Sequence, residues 1–218
     1  MARVALVWGL LAGILIGTSV SGAAPLSTYE EIVSELKSGF TDVDYRRLRE
    51  SYAESAGYDP YFQNSKQMLL ARAMKANDCE SVLSLANALL GGNFTDIEAH
   101  IFAANCARRL HDDSTARFHL EVARGLLSSI AGSGDGKSVE TAFVVVAVDE
   151  EYAWLFSQGY RIRDEALVKN GAHQLEAVDV FDQSGAQKTI YFNIDRLTAW
   201  LARKLPSQSG NLPDSDQH

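Results

Sequence analysis

Three carboxylates outside the chain termini have the right chemistry for acid–base catalysis. Glu150 and Glu151 belong to the run Asp149-Glu150-Glu151, and Asp195 follows a segment with strand-like alternation. Paired carboxylates act as general acid and base when their surroundings separate their pKa values, as in many hydrolases. Consecutive acids also suit the positive end of a helix dipole, and adjacent helical residues point in different directions. The pattern favours a solvated first helical turn, and a hydrolase using Glu150, Glu151 or Asp195 is the alternative.

A second group of residues is suited to binding. Aromatic side chains are interleaved with arginines between residues 45 and 62, an arrangement that could line a peptide- or glycan-binding surface. The binding candidates are Tyr45, Arg46, Arg49, Tyr58 and Tyr61. Packing of the same aromatic residues against neighbouring helices is the competing interpretation.

Other motifs predict neither a metal ion nor a cofactor. The segment from Ala131 to Ser138 matches a loose phosphate-loop pattern, but that mechanism needs a strand before the loop and a helix after it. Here the order of elements is reversed, which favours a flexible helix-to-strand loop. His100, His111 and His119 lack the i, i+4 spacing within one helix that zinc sites use.

The amino terminus has the three-part pattern of a cleavable signal peptide over residues 1–23. Arg3 is followed by an apolar run of about a dozen residues and by small residues, with Ser21 and Ala23 placed for cleavage before Ala24. A membrane anchor is the alternative, but a spanning helix needs roughly 20 apolar residues. We therefore expect an exported protein, in the periplasm or secreted, with no stable membrane span after cleavage.

The charge balance excludes some classes of partner. The chain of 218 residues carries a formal net charge of -8, and loss of the signal peptide removes one further cation, Arg3. Such an acidic protein lacks the excess of positive charge that attracts nucleic acid or an anionic membrane surface. The two cysteines, Cys79 and Cys106, would meet an oxidising compartment after export, so a disulfide is allowed but not established.

Residues 24–130 read as helical. Apolar residues recur at helical spacing in segments near residues 27–37, 42–52, 65–76, 79–91, 96–110 and 114–130. The later segments form pairs with short connections, which is similar to tetratricopeptide hairpins, although the full repeat consensus is missing.

Residues 131–205 change to a mixed pattern. Residues 142–148 are apolar and rich in valine, as in a buried strand, and residues 149–156 form a short helix. Asn170-Gly171 predicts a hairpin between two longer strands, a fourth strand follows near residues 188–194, and a helix covers residues 196–205. We therefore predict an α+β protein with an antiparallel sheet of about four strands, one compact unit with the helical part, and a disordered tail over residues 206–218.

Several segments together resemble one family of bacterial exported proteins, the domain of unknown function 4919. The resemblance covers residues 27–200 and rests on these segments: Asp44-Tyr45-Arg46-Arg47-Leu48-Arg49, Tyr58-Asp59-Pro60-Tyr61, Gly134-Asp135-Gly136-Lys137-Ser138, Glu150-Glu151-Tyr152 and Tyr191-Phe192-Asn193-Ile194-Asp195. It implies a bacterial envelope or secreted protein, and it brings no activity and no catalytic residues.

The helical hairpins, the acidic composition and the lack of a catalytic motif favour a binding module. We predict a periplasmic protein that binds an envelope protein or a small ligand. The carboxylate-dependent periplasmic hydrolase is the alternative function.

Overall fold

The computed structural model describes residues 27–61 and 65–205, which form eight α-helices and one four-stranded sheet. The helices are α1 (Thr28–Lys37), α2 (Tyr45–Glu54), α3 (Ser65–Ala76), α4 (Cys79–Leu90), α5 (Ile97–Arg109), α6 (Asp113–Ala131), α7 (Val148–Ser157) and α8 (Asp195–Lys204). The strands are β1 (Phe143–Val144), β2 (Arg161–Asn170), β3 (His173–Phe181) and β4 (Gln187–Asn193). The predicted signal peptide and the tail over residues 206–218 lie outside the described residues. Within the described ranges, no helix has the length and apolar character needed to cross a membrane.

Short polar side chains fix where five of the helices begin. Each N-cap side chain accepts a hydrogen bond from a backbone amide in the first turn, which would otherwise have no partner. These caps are Ser27, Asp44, Asp78, Asp96 and Asp112. In α1, Glu30 also accepts a bond from the Ser27 amide, which completes a capping box.

A disulfide links consecutive helices of the helical part. Cys79 at the start of α4 and Cys106 in α5 form a disulfide, with their Cα atoms 4.9 Å apart. Both residues are buried, and α3, α4, α5 and α6 pack on one another in chain order. The pairing that the sequence left open is therefore present, whereas the likeness to tetratricopeptide hairpins stays a prediction.

The sheet has the order β1-β4-β3-β2. The two-residue turn of the β2–β3 hairpin is Gly171-Ala172, directly after Asn170, and Gly171 adopts a φ of 60°, as the turn requires. Strand β4 is antiparallel to β3, and β1 is parallel to β4, with Phe143 opposite Phe192. The α+β class and the four strands are confirmed, but the sheet is mixed, and the prediction of an antiparallel sheet was wrong for its edge strand β1.

Strand β1 is shorter than its apolar run because the chain leaves the ladder after Val145. The amide of Val146 donates to Glu150 Oε2 at 2.8 Å, and the amide of Val148 donates to the carbonyl of Pro60 at 3.0 Å. These two bonds start α7 and place it beside the segment that leads to α3. The core below α7 contains residues of both the helical part and the sheet, including Leu126, Ile130 and Phe192.

Candidate functional site

A cleft of about 1150 Å³ lies between α3, α5 and α7. Its lining residues are Pro60, Tyr61, Gln67, Met68, Ala71, Glu98, Ile101, Phe102, Val148, Asp149, Tyr152, Ala153, Phe156 and Ser157. Most of these side chains are apolar or aromatic. The volume lies slightly above the roughly 300–1000 Å³ that is usual for small-molecule sites.

Helical periodicity brings the lining residues of each helix to one face. Asp149, Tyr152 and Phe156 of α7 follow one another at intervals of three and four residues, and Glu98 and Phe102 of α5 are four apart. Two large apolar side chains remain open to solvent here, with Met68 61% exposed and Phe156 63% exposed. Exposed apolar side chains grouped around a concavity are typical of binding sites.

The cleft is acidic. Among its described lining residues, only Glu98 and Asp149 carry a formal charge. Asp96 lies close to Asp149 and is buried as the N-cap of α5, where it accepts a hydrogen bond from the Ala99 amide at 2.9 Å.

Burial and mutual repulsion disfavour the charged forms of these acids. Enclosure by protein raises the pKa of Asp149 well above its usual range, and the charges of Asp96, Glu150 and Glu98 raise it further. Burial also raises the pKa of Asp96, against the opposing effect of its amide hydrogen bonds. At the rim, partial enclosure and the Asp96 charge raise the pKa of Glu98.

A buried ion pair holds α7 against α2. Arg49 Nε and Nη2 donate to the two carboxylate oxygens of Glu150 at 2.7 and 2.6 Å, and only 3% and 1% of these side chains are exposed. Arg49 also donates to Ser129 Oγ and to the carbonyl of Val144. The structure thus joins a predicted binding residue to a predicted catalytic residue, and their polar groups are satisfied within the protein.

Glu151 lies in the interior next to the sheet. It is 3% exposed, and its Oε1 atom has no hydrogen-bond partner among the described residues. Burial raises its pKa well above the usual range, and the neighbouring carboxylates of Glu176 and Glu165 add to that effect. The charged form of Glu151 is therefore disfavoured, and the residue does not line the cleft.

Asp195 joins the start of α8 to the β2–β3 hairpin. It accepts hydrogen bonds from the Gln174 amide at 2.7 Å, from His173 Nδ1 at 2.7 Å and from Asn193 Nδ2 at 3.1 Å. Partial burial opposes ionisation, but these bonds outweigh it and hold the pKa of Asp195 below its usual value. Each of the three predicted catalytic residues is therefore ion-paired, buried or hydrogen-bonded within the protein, and none of them lines the cleft.

The four remaining predicted binding residues lie in four different settings, and the first two are on α2. The Tyr45 hydroxyl donates to the Thr41 carbonyl, and its ring packs over Gly125 of α6. Arg46 forms an exposed ion pair with Glu50 on the same helix.

The two later tyrosines lie nearer α7. The buried Tyr58 hydroxyl donates to the carbonyl of Val146 at 2.6 Å. Tyr61 is 37% exposed, packs against Trp200 and lines the cleft. Of the five predicted binding residues, Tyr61 alone contributes to this site.

A smaller pocket of about 450 Å³ lies near a buried histidine pair. His100 Nε2 is 3.0 Å from the Phe94 carbonyl, so it carries the proton, and His100 Nδ1 accepts from His119 Nδ1 at 2.9 Å. Burial and the proximity of His119 lower the pKa of His100 to about 3. In the described parts of the chain, no group of three or more His, Cys, Asp or Glu residues is arranged to hold a metal ion.

Sequence reasoning did not identify the residues that form most of the cleft. No function was predicted for Glu98, Phe102 and Phe156, because each lies in a helix whose apolar face is typical of one that packs in the core. The available signal was the spacing of Asp149, Tyr152 and Phe156, which places an acid and two aromatic rings on one face of a ten-residue helix.

Comparison with known proteins gives a family and no activity. A family model described as "Domain of unknown function (DUF4919)" matches residues 29–202. No curated protein and no solved structure matches the chain.

Proposed function

We propose that this chain, which belongs to the DUF4919 family, is an exported binding module whose ligand occupies the cleft between α3, α5 and α7. The observation that carries the proposal is the cleft itself, because it is concave, largely apolar and supplied with a few polar groups. Those are the usual properties of a small-molecule site.

Further support comes from the contacts that fix two of the lining helices, α5 and α7, to the rest of the protein. The Arg49–Glu150 pair anchors α7, and the Asp96 cap and the disulfide at Cys106 anchor α5. A preformed site loses little conformational entropy when a ligand binds, which favours affinity.

A cleft-filling substitution tests the binding role. We expect Ala153→Trp to abolish the rise in Tm that a ligand from a thermal-shift screen produces, because an indole at this position occupies the cleft. Leu167→Trp is the matched control, since Leu167 lies on β2, is 77% exposed and does not line the cleft. If every ligand that stabilises the parent protein stabilises Ala153→Trp equally, the cleft is not the binding site.

Export to an oxidising compartment is the second part of the proposal. The Cys79–Cys106 disulfide supports it, because disulfides persist mainly in oxidising compartments, and the signal-peptide pattern of residues 1–23 supports it independently. Cell fractionation of the full chain in a bacterial host should recover a mature, disulfide-bonded form in the periplasm. A chain lacking residues 1–23 should stay in the cytoplasm, and equal distribution of the two chains would contradict export.

The hydrolase remains a prediction that no observation favours. Glu150 forms a buried ion pair with Arg49, and the side chain of Glu151 is buried in the interior. Asp195 accepts hydrogen bonds that connect the β2–β3 hairpin to α8. A catalytic acid must reach the substrate, and the cleft is lined by none of the three.

A further inference from the structure

We propose that the cleft selects an organic cation, an ammonium group attached to an apolar body, and that binding of this ligand releases protons from the protein. The inference rests on the proposed binding function and adds the chemical class of the ligand.

The acids of the cleft have no cationic partner among its described lining residues. Glu98 and Asp149 line it without a Lys, Arg or His among the described lining residues, and Asp96 adds a third acid behind them. Glu150 also lies near Asp149, and its carboxylate is paired with Arg49. A positively charged ligand therefore supplies a charge that the described lining residues lack, whereas an anionic ligand finds no opposite charge among them.

The aromatic lining suits the same ligand. Tyr61, Phe102, Tyr152 and Phe156 line the same cleft as the acids, and the faces of aromatic rings attract ammonium groups. The cation–π contacts that the described protein makes internally involve other rings, those of Phe94, Phe181, Tyr160 and Trp200. No described internal cation occupies the faces of the cleft rings, and Met68 and Ile101 offer contacts for the apolar body of a ligand.

Proton release follows from the groups that surround Asp149. Asp96 and Glu98 face it from α5, Glu150 lies beside it on α7, and the phenol of Tyr52 on α2 is within electrostatic reach. Without a ligand, burial and these acids raise the pKa of Asp149 and so disfavour its charged form. A bound ammonium favours the carboxylate instead, and the displaced proton goes to the buffer. Affinity should therefore increase as the pH rises.

Three probes of matched shape separate charge from apolar contact: phenylbutylamine, phenylbutanol and phenylbutyrate. Isothermal titration calorimetry on the mature protein, in phosphate and in HEPES, gives both affinity and proton release. We expect the amine to bind at least tenfold more tightly than the alcohol, and the carboxylate to show no binding. The amine enthalpy should differ between the two buffers by an amount that corresponds to protons released.

Substitution of the central acid tests the assignment. Asp149→Asn should remove the preference for the amine and the buffer-dependent enthalpy while retaining the alcohol. Asp164→Asn on β2 removes the same charge from an exposed position outside the cleft and should change neither. If Asp149→Asn does not fold, Glu98→Gln at the solvent-exposed rim should reduce the amine preference.

The outcomes separate this inference from the proposed function. Equal binding of amine and alcohol, both blocked by Ala153→Trp, would overturn the cationic class and leave the cleft as a binding site. Failure of all three probes at millimolar concentration would also overturn this inference, and the wider ligand screen would then decide the binding function. Tight amine binding that is unaffected by Ala153→Trp would contradict both.

Discussion

Arg49 and Glu150 were assigned by the sequence to different hypothetical sites, and the structure joins them in one buried ion pair. An arginine that is interleaved with tyrosines, and a glutamate in an acidic run, are both patterns typical of solvent-exposed residues. Their actual role depends on a contact across 101 residues of chain, which no local spacing reveals. Removal of one partner leaves the other charge buried without compensation.

We expect Glu150→Ala to lower the free energy of unfolding by about 3 to 5 kcal/mol, because the guanidinium of Arg49 is left unpaired in the interior. The double substitution Arg49→Met with Glu150→Leu should recover much of that loss, since it buries no charge. Urea denaturation followed by circular dichroism measures both.

The exposed pair of Arg46 and Glu50 is the matched control. Arg46→Met should change the free energy of unfolding by less than about 1 kcal/mol, as is usual for solvent-exposed ion pairs. A loss for Glu150→Ala no larger than that for Arg46→Met would show that the buried pair does not hold α7.

Glu151 gives the protein a stability that depends on pH. Burial raises its pKa in the folded state, so the folded protein retains a proton that the unfolded chain has lost. This contribution is fully present below the pKa of an ordinary glutamate, about 4.3, and is lost as the pH rises through the folded-state value. The slope reaches at most about 1.4 kcal/mol per pH unit for one proton.

Glu151→Gln should therefore stabilise the protein at neutral pH and flatten this part of its pH profile, because the amide stays neutral and can still donate to Glu176. Thermal unfolding measured at a series of pH values from about pH 4 to about pH 8 tests the prediction. Glu35→Gln on the exposed face of α1 is the control and should leave the profile unchanged. A lower Tm for Glu151→Gln at neutral pH would contradict the prediction.

At the scale of helices and strands, the positions of most elements depend on local sequence patterns and could be predicted from the sequence. The recurrence of apolar residues at helical spacing predicted the helices, and Asn170-Gly171 predicted the hairpin. The short length of strand β1 and its parallel pairing could not be predicted, because the bonds of Val146 and Val148 to partners elsewhere in the fold divide the apolar run from Ala142 to Val148. The cleft also could not be predicted from the sequence, because it depends on how three helices that are separated in sequence pack together.

The contact between α2 and α6 is a further example, and it depends on a glycine within a helix. A side chain at Gly125 would collide with the ring of Tyr45. Alanine normally stabilises a helix interior by up to about 1 kcal/mol relative to glycine, but here we expect Gly125→Ala to destabilise the protein because the ring must move.

Combination with Tyr45→Ala separates the two effects. In a protein that already carries Tyr45→Ala, the change Gly125→Ala should become stabilising, because the collision is gone and the helix propensity remains. A double-mutant cycle by urea denaturation measures the coupling. Additive effects of the two substitutions would show that the ring and the glycine are independent.

At the scale of the whole molecule, the disulfide connects stability to the proposed site. Cys106 lies one helical turn beyond Phe102 on α5, and its bond to Cys79 fixes that helix to α4 across a sequence separation of 27 residues. A loop of this length corresponds to a stabilisation of about 3 to 4 kcal/mol in the chain-entropy model.

Reduction, or the pair Cys79→Ala with Cys106→Ala, should lower the free energy of unfolding by about that amount. It should leave the affinity of the cleft for its ligand within about threefold, a change of less than 1 kcal/mol. The reason is that α5 keeps its Asp96 cap and its packing against α6, so the faces of Glu98 and Phe102 stay in place when the covalent link is removed. Calorimetry on the reduced and oxidised proteins, under conditions where both are folded, makes the comparison. A loss of affinity greater than tenfold without a change in stability would show that the disulfide controls the site and is not a structural tie.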